Sequence, residues 1–215
     1  TRAIEIKPDF PNVHFNLGLI FNDLGNLQKA VKCLSQAIKL EPKLAEAHYN
    51  LGSIFRDLGN LEKAKVSITK SIELKPDYAD AHFTLGLVFH DLNKLQEARR
   101  CLSKAIEFNP NLSEAYYNLG IILNDLGEIE KSYDSYIKAI KIKPSFAQAH
   151  ANLGLVLKDI GNLEEAEICI RKAIKLNPNL SESYSNLGII LIGLGRLKEA
   201  ELSQLKAIEL NPGLA

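Results

Sequence analysis

The stretch Ala45–Tyr78, AEAHYNLGSIFRDLGNLEKAKVSITKSIELKPDY, decides how the whole 215-residue chain is read. It is 34 residues long, and the chain repeats it end to end in six full copies: 11–44, 45–78, 79–112, 113–146, 147–180 and 181–214. Thr1–Phe10 reads as the tail of an earlier copy, with Pro8 at the matching place, and Ala215 as the first residue of a later one. No copy carries an insertion. Length alone suggests one or two globular domains. A period this regular predicts instead one continuous array over 1–215, in which each copy touches only its neighbours.

Position 8 of every copy is glycine: Gly18, Gly52, Gly86, Gly120, Gly154 and Gly188. Position 20 is small (Ala30, Ala64, Ala98, Ser132, Ala166, Ala200), as is position 27 (Ala37, Ser71, Ala105, Ala139, Ala173, Ala207). Pro42, Pro76, Pro110, Pro144, Pro178 and Pro212 close each copy at position 32. The pattern predicts two helices per copy. The first runs from about position 2 to 14 and is ended by Gly25, Gly59, Asn93, Gly127, Gly161 or Gly195, residues that tolerate the left-handed conformation. The second runs to about position 30, where proline removes a donor and stops it. Ser113 and Ser181 are placed to cap first helices, and Asn26, Asn60 and Asn162 to cap second helices. Turns this short force antiparallel neighbours, so each copy is a helical hairpin. Gly at position 8 and Ala at position 20 leave room for the two helices to approach.

A 34-residue period with these small, apolar and proline positions resembles the tetratricopeptide repeat over essentially the whole chain. The departure is position 4, which holds His14, His48, His82, Tyr116, His150 and Tyr184, never Trp. The resemblance implies an all-α solenoid, a right-handed superhelix of helix-turn-helix repeats with the first helices lining a concave groove.

Composition excludes several functions. Equal numbers of acidic and basic residues give a net charge of zero, against a nucleic-acid partner that needs a basic footprint. No apolar run approaches the ~20 residues of a membrane span, and no leader is visible. Cys33, Cys101 and Cys169 share position 23 in alternate copies. At ~10 Å per copy, two copies put these thiols about 20 Å apart, beyond the ~7 Å reach of a disulfide. Three free thiols suit a reducing cytosol, so a cytoplasmic protein is expected. The alternation hints at an ancestral doubled unit.

Positions 2, 6, 9 and 13 share the side of the first helix that faces away from the hairpin's own core. Position 6 is Asn16, Asn50, Thr84, Asn118, Asn152 and Asn186. Asparagine is a mediocre helix former, so propensity does not account for the row. A carboxamide offers donors and an acceptor together, suited to a peptide unit whatever its side chain. The row is similar to the asparagine ladder of the tetratricopeptide superhelix in O-linked N-acetylglucosamine transferases, which holds a polypeptide backbone. Duplication alone could also leave a row of solvated or internally bonded amides. Phe15, Tyr49, Phe83 and Tyr117 at position 5 flank the groove. Asp57, Asp91 and Asp125, with Asp23 and Asp159, occupy position 13, and Glu46, Asp80, Glu114 and Glu182 position 2. These acids predict a groove that favours neutral-to-basic peptides. Acids at a helix C-terminus oppose the dipole, so a basic side chain of the next helix is the expected offset. The lysines of position 26 read as a solvated outer row.

Chemistry is not encoded in this segment by any motif. Histidines one copy apart cannot share a zinc ion, since Zn–N bonds are ~2 Å. No nucleophile elbow or phosphate-binding loop is present, and no cofactor is expected. Three functions are consistent with the sequence: a scaffold for an extended polypeptide; the substrate-recognition arm of a larger glycosyltransferase-like enzyme; and a module that self-associates through its terminal repeats.

Overall fold

The positive backbone angles that the glycines permit fix where each hairpin bends. In the computed structural model, which describes residues 10–214, Gly25 has φ 71° and Asn93, the one non-glycine at that place, φ 56°. The bend closes with a backbone bond from Asn26 to the Phe21 carbonyl of 2.8 Å, the six-to-one bond of a helix that ends in a left-handed residue. The partial copy read over Thr1–Phe10 lies, but for Phe10, outside the described residues, as does Ala215.

Residues up to Pro110 form one compact unit and those from Asn111 a second. The first holds α1 (Pro11–Asp23), α2 (Leu27–Leu40), α3 (Ala45–Asp57), α4 (Leu61–Leu74), α5 (Ala79–Asp91) and α6 (Leu95–Phe108). The second holds α7 (Ser113–Asp125), α8 (Ile129–Ile142), α9 (Ala147–Asp159), α10 (Leu163–Leu176), α11 (Ser181–Gly193) and α12 (Leu197–Leu210), then a single 3₁₀ turn. Helices are the sole regular structure of the described residues. Each odd-numbered helix packs on the even one that follows it. Within a unit, each second helix then packs on the first helix of the next copy. This is the all-α, solenoid class of fold.

First helices span positions 1–13, one residue earlier than expected. Ser113 and Ser181 are therefore not caps. They are the first helical residues, and the N-cap positions fall on Leu112 and Leu180, which offer no side-chain bond. The buried Ser113 hydroxyl instead donates to Glu114 Oε2 at 2.8 Å. Second helices behave as expected for Asn26 and Asn162, whose side chains accept from Lys29 N and Glu165 N. Asn60 sits at the cap position without making that bond.

The seam of each hairpin is set by glycine against a larger side chain of the second helix. A Cβ added to Gly18 would lie 2.7 Å from Leu34, one on Gly154 2.7 Å from Ile170, and one on Gly120 2.6 Å from the Tyr136 ring. The partner of position 8 is thus position 24. The position-20 alanines contribute their backbone, with the Ala98 carbonyl 3.4 Å from a Cβ at Gly86. The alanines of positions 20 and 27 are sealed, because any larger side chain there would push the helices apart. Around these seams lie the apolar cores, for example Ala30, Leu34, Leu51 and Ile54 in the first unit and Leu153, Ile170, Leu187 and Ile190 in the second.

Candidate functional site

The first-helix face carries the polar row, and its members are held in two ways. In copies two and four the amide folds back on its own helix: Asn50 Nδ2 donates to the Glu46 carbonyl and Asn118 Nδ2 to the Glu114 carbonyl, both at 2.7 Å. A carbonyl only accepts, so these bonds fix which end of each carboxamide faces inward. No other hydrogen bond reaches either amide among the described residues, and Oδ1 is left as an acceptor. In copies three and five the position-6 residue meets the tyrosine of the copy before. Thr84 is buried and lies near enough to the Tyr49 hydroxyl to act on it. Asn152 Nδ2 makes long contacts of 3.4 Å to the hydroxyls of Tyr117 and Tyr136. Thr84 therefore takes the place that Asn152 takes in the other unit. Asn16 is exposed and Asn186 half-buried.

The aromatics alternate in the same way. Phe15 and Phe83 stand in odd copies, whose position-34 residues are leucines, Leu44 and Leu112. In even copies Tyr49 packs on Tyr78 with ring centroids 4.9 Å apart, and Tyr117 on Phe146 at 4.8 Å. Over the second ring of each pair lies a lysine: Lys75 Nζ is 4.7 Å from the Tyr78 centroid and Lys143 Nζ 4.9 Å from that of Phe146. Each ammonium also meets the position-2 carboxylate, Lys75 to Glu46 at 3.6 Å and Lys143 to Glu114 at 3.0 Å. Lys75, Tyr78, Lys143 and Phe146 were not among the sequence candidates. Their signal is a two-copy alternation, the one the cysteines also show.

Electrostatics modify the expected acidic groove. Asp91 pairs with Arg56 of the preceding first helix at 2.7 Å, and Asp159 with its neighbour Lys158 at 3.0 Å. The offset for Asp91 comes from the first helix before it and not from the helix that follows. Glu46 and Glu114 have their lysines, so part of the predicted negative charge is already balanced. Asp57 and Asp125 are exposed at helix ends. Burial pushes the Tyr78 hydroxyl up to about 12, with help from the neighbouring Tyr49, Asp80 and Glu46. Burial likewise pushes Tyr136 up to about 12. Burial also works to raise the Glu114 carboxyl, but bonds from Lys143 and Ser113 outweigh it and hold the group below its ordinary value.

Remaining candidates fall into structural places. His48, His82 and His150 donate Nε2–H to the carbonyls of Pro42, Pro76 and Pro144 at 2.9–3.1 Å, pinning each first helix to the turn before it. A carbonyl acceptor requires the Nε2–H tautomer. Cys33, Cys101 and Cys169 are free and half-buried, and burial raises the Cys101 thiol to about 11. Lys70, Lys104 and Lys206 pair with the glutamates three residues on at 2.7–2.9 Å, as suits a solvated outer row. Two concavities on the second-helix side, one floored by Ile38 and Leu51 and one by Ile174 and Leu187, are mainly apolar. Among the described residues no three His, Cys, Asp or Glu side chains converge as a metal site would need, and no helix is long and apolar enough to cross a membrane.

The hairpins match known repeats in sequence as well as geometry. The profile described as TPR repeat matches residues 18–59, 86–124 and 120–161, and tetratricopeptide repeat profiles match 45–78, 147–180 and 169–201. The chain belongs to the tetratricopeptide-repeat family. No curated protein matches it. Among solved structures the tetratricopeptide chain resembles MamA, with 26% identity and a TM-score of 0.70 over 76% of this chain and 95% of that one. It shares its fold with YrrB, described as a TPR protein with an unusual peptide-binding site (24% identity, TM-score 0.70, 85% of this chain and 94% of that one). It shares the fold also with Pseudomonas aeruginosa pilF (18% identity, TM-score 0.85, 94% of this chain and 92% of that one). Tetratricopeptide repeats of this kind serve protein–protein interaction, and each profile named above describes a repeat.

Proposed function

We propose that this chain is a scaffold that holds an extended, neutral-to-basic polypeptide along its first helices. The observation that carries the reading is the anchoring of Asn50 and Asn118. Each amide is fixed by one bond to its own helix and keeps an acceptor for a ligand N–H. A side chain already held in one rotamer loses little entropy when it binds. The sequence row thus narrows to two principal rungs, with Tyr49 and Tyr117 beside them. Thr84, Asn152, Phe15 and Phe83 support these rungs, and Asn16 and Asn186 extend the row at its ends. Asp57 and Asp125, exposed at helix ends, favour a basic chain, while Asp91 is balanced by Arg56. The segment itself carries no catalysis in this reading, and a cytoplasmic setting fits its free thiols.

The variant Asn50→Ala with Asn118→Ala tests it. Affinity for a captured polypeptide falls about tenfold or more, since two hydrogen bonds of about 1 kcal/mol each are lost. The melting temperature holds, because both residues lie on the half-exposed face and Ala is the better helix former. Unchanged affinity in a pull-down comparing the two versions overturns the reading.

Leu197, Leu202, Leu205 and Ile208 favour a second reading. All four are exposed on α12, an apolar surface suited to self-association. Light scattering over a range of concentration separates the two, a constant monomer mass removing the second.

A further inference from the structure

The alternation within the row defines a composite site that occurs once in each unit. Glu46, Tyr49, Asn50, Lys75 and Tyr78 make the first, and Glu114, Tyr117, Asn118, Lys143 and Phe146 the second, 68 residues on. Every contact of the first is repeated in the second: amide to backbone carbonyl, ring on ring, ammonium over ring, ammonium to carboxylate.

Four of the five groups recognise cations or donors. The carboxylate attracts a positive charge, the aromatic face attracts it through the ring quadrupole, and Asn Oδ1 accepts. The fifth group is itself a cation. Lysine lies on the site's ring and against its carboxylate, so the chain holds its own occupant there. That occupant is solvent-screened in both clusters: Lys75 and Glu46 are 3.6 Å apart, Lys143 and Glu114 3.0 Å, and all four side chains are close to half exposed. Exposed pairs of this kind contribute about 0–1 kcal/mol. A guanidinium is the better guest. It is flat, stacks on a ring, and meets a carboxylate with two parallel hydrogen bonds where an ammonium makes one. The surroundings favour it too. Asp57 and Asp80 lie close enough to act on the Tyr49 hydroxyl, and Glu182 acts on that of Tyr117.

We propose that these twin clusters each seat an arginine side chain of the bound polypeptide, which displaces Lys75 or Lys143 from the ring and the carboxylate. The inference rests on the scaffold reading above and specifies its ligand: a chain whose arginines are read while the asparagines hold its backbone.

The test uses the whole chain and two labelled peptides of equal length. One alternates arginine and serine, and the other replaces arginine by citrulline, its uncharged isostere. The arginine peptide is expected to bind about tenfold tighter or more, the scale of one good charged contact. Glu46→Gln with Glu114→Gln lowers its affinity about tenfold and leaves the citrulline peptide unchanged. Glu62→Gln with Glu73→Gln, two acids of a second helix, leaves both unchanged. Lys75→Ala with Lys143→Ala tightens the arginine peptide several-fold, because the competing occupant is gone. Lysines that only staple the fold would give no such gain. Loss of affinity in that lysine variant, or equal binding of the two peptides, overturns the arginine site and leaves the scaffold standing. Failure of both peptides to bind overturns the scaffold reading as well.

Discussion

Gly52→Val costs about 3 kcal/mol of stability, the upper part of the range for overpacked cores, and urea unfolding followed by helical circular dichroism measures it. The added Cβ alone would run into the side chain of Ile68 and stand 3.1 Å from the Ala64 carbonyl and the Ile68 amide nitrogen. Backbone on one side and a sealed, branched residue on the other leave nothing that yields cheaply. A β-branched side chain also restricts χ1 within the helix, which adds to the strain. Gly188→Ala is the internal comparison. Its Cβ would meet Gln204, nearest at the terminal nitrogen, 2.5 Å away. That flexible end can swing aside at the loss of its bond to the Ser185 carbonyl. The alanine variant at Gly188 should lose less than half of what valine costs at Gly52. Equal losses would mean that the seam is not set by the position-24 side chain.

Ile170→Ala is expected to lose about 4 kcal/mol by the same measurement, a large-to-small change in a sealed site. Ile170 is fully buried and touches the cluster of Tyr136, Leu153, Leu187 and Ile190. That cluster draws on three copies of the repeat, so the void is not closed by the movement of one helix. Ile168→Ala two residues earlier makes the same chemical change at a side chain that is 69% exposed. That change should stay within about 0.5 kcal/mol. The contrast separates the buried face of α10 from its outer face, and comparable losses would contradict the packing.

The hairpin fold was legible in the sequence because its determinants are local and recur six times. Glycine at the bend, proline after the second helix and small residues at positions 8, 20 and 27 each dictate one geometric fact. The caps were read less well. Ser113 and Ser181 are good cap residues, but apolar position 34 enters the turn and the helix begins one residue sooner. The candidate site was legible as a row and not as a pattern. Asn50 and Asn152 occupy the same position, yet one bonds its own helix and the other faces two tyrosines. That difference depends on Tyr49, Tyr117 and Tyr136, whose contacts reach 16 and 35 residues along the chain. The acidic face was overestimated for a similar reason. Lys75 and Lys143 stand just before the prolines, far in sequence from the glutamates they meet. A search for a period of two copies, prompted by the cysteines, would have found both.

A bound chain is expected to lie against the amides of Asn50 and Asn118. Side-chain amide NMR during titration with the arginine–serine peptide tests it most directly. The Asn50 and Asn118 carboxamide signals are expected to move the most, Asn152 to follow weakly through its tyrosines, and Asn26, Asn60 and Asn162 at the hairpin bends to stay still. Movement confined to the bends or to the second helices, with Asn50 and Asn118 unmoved, would contradict it.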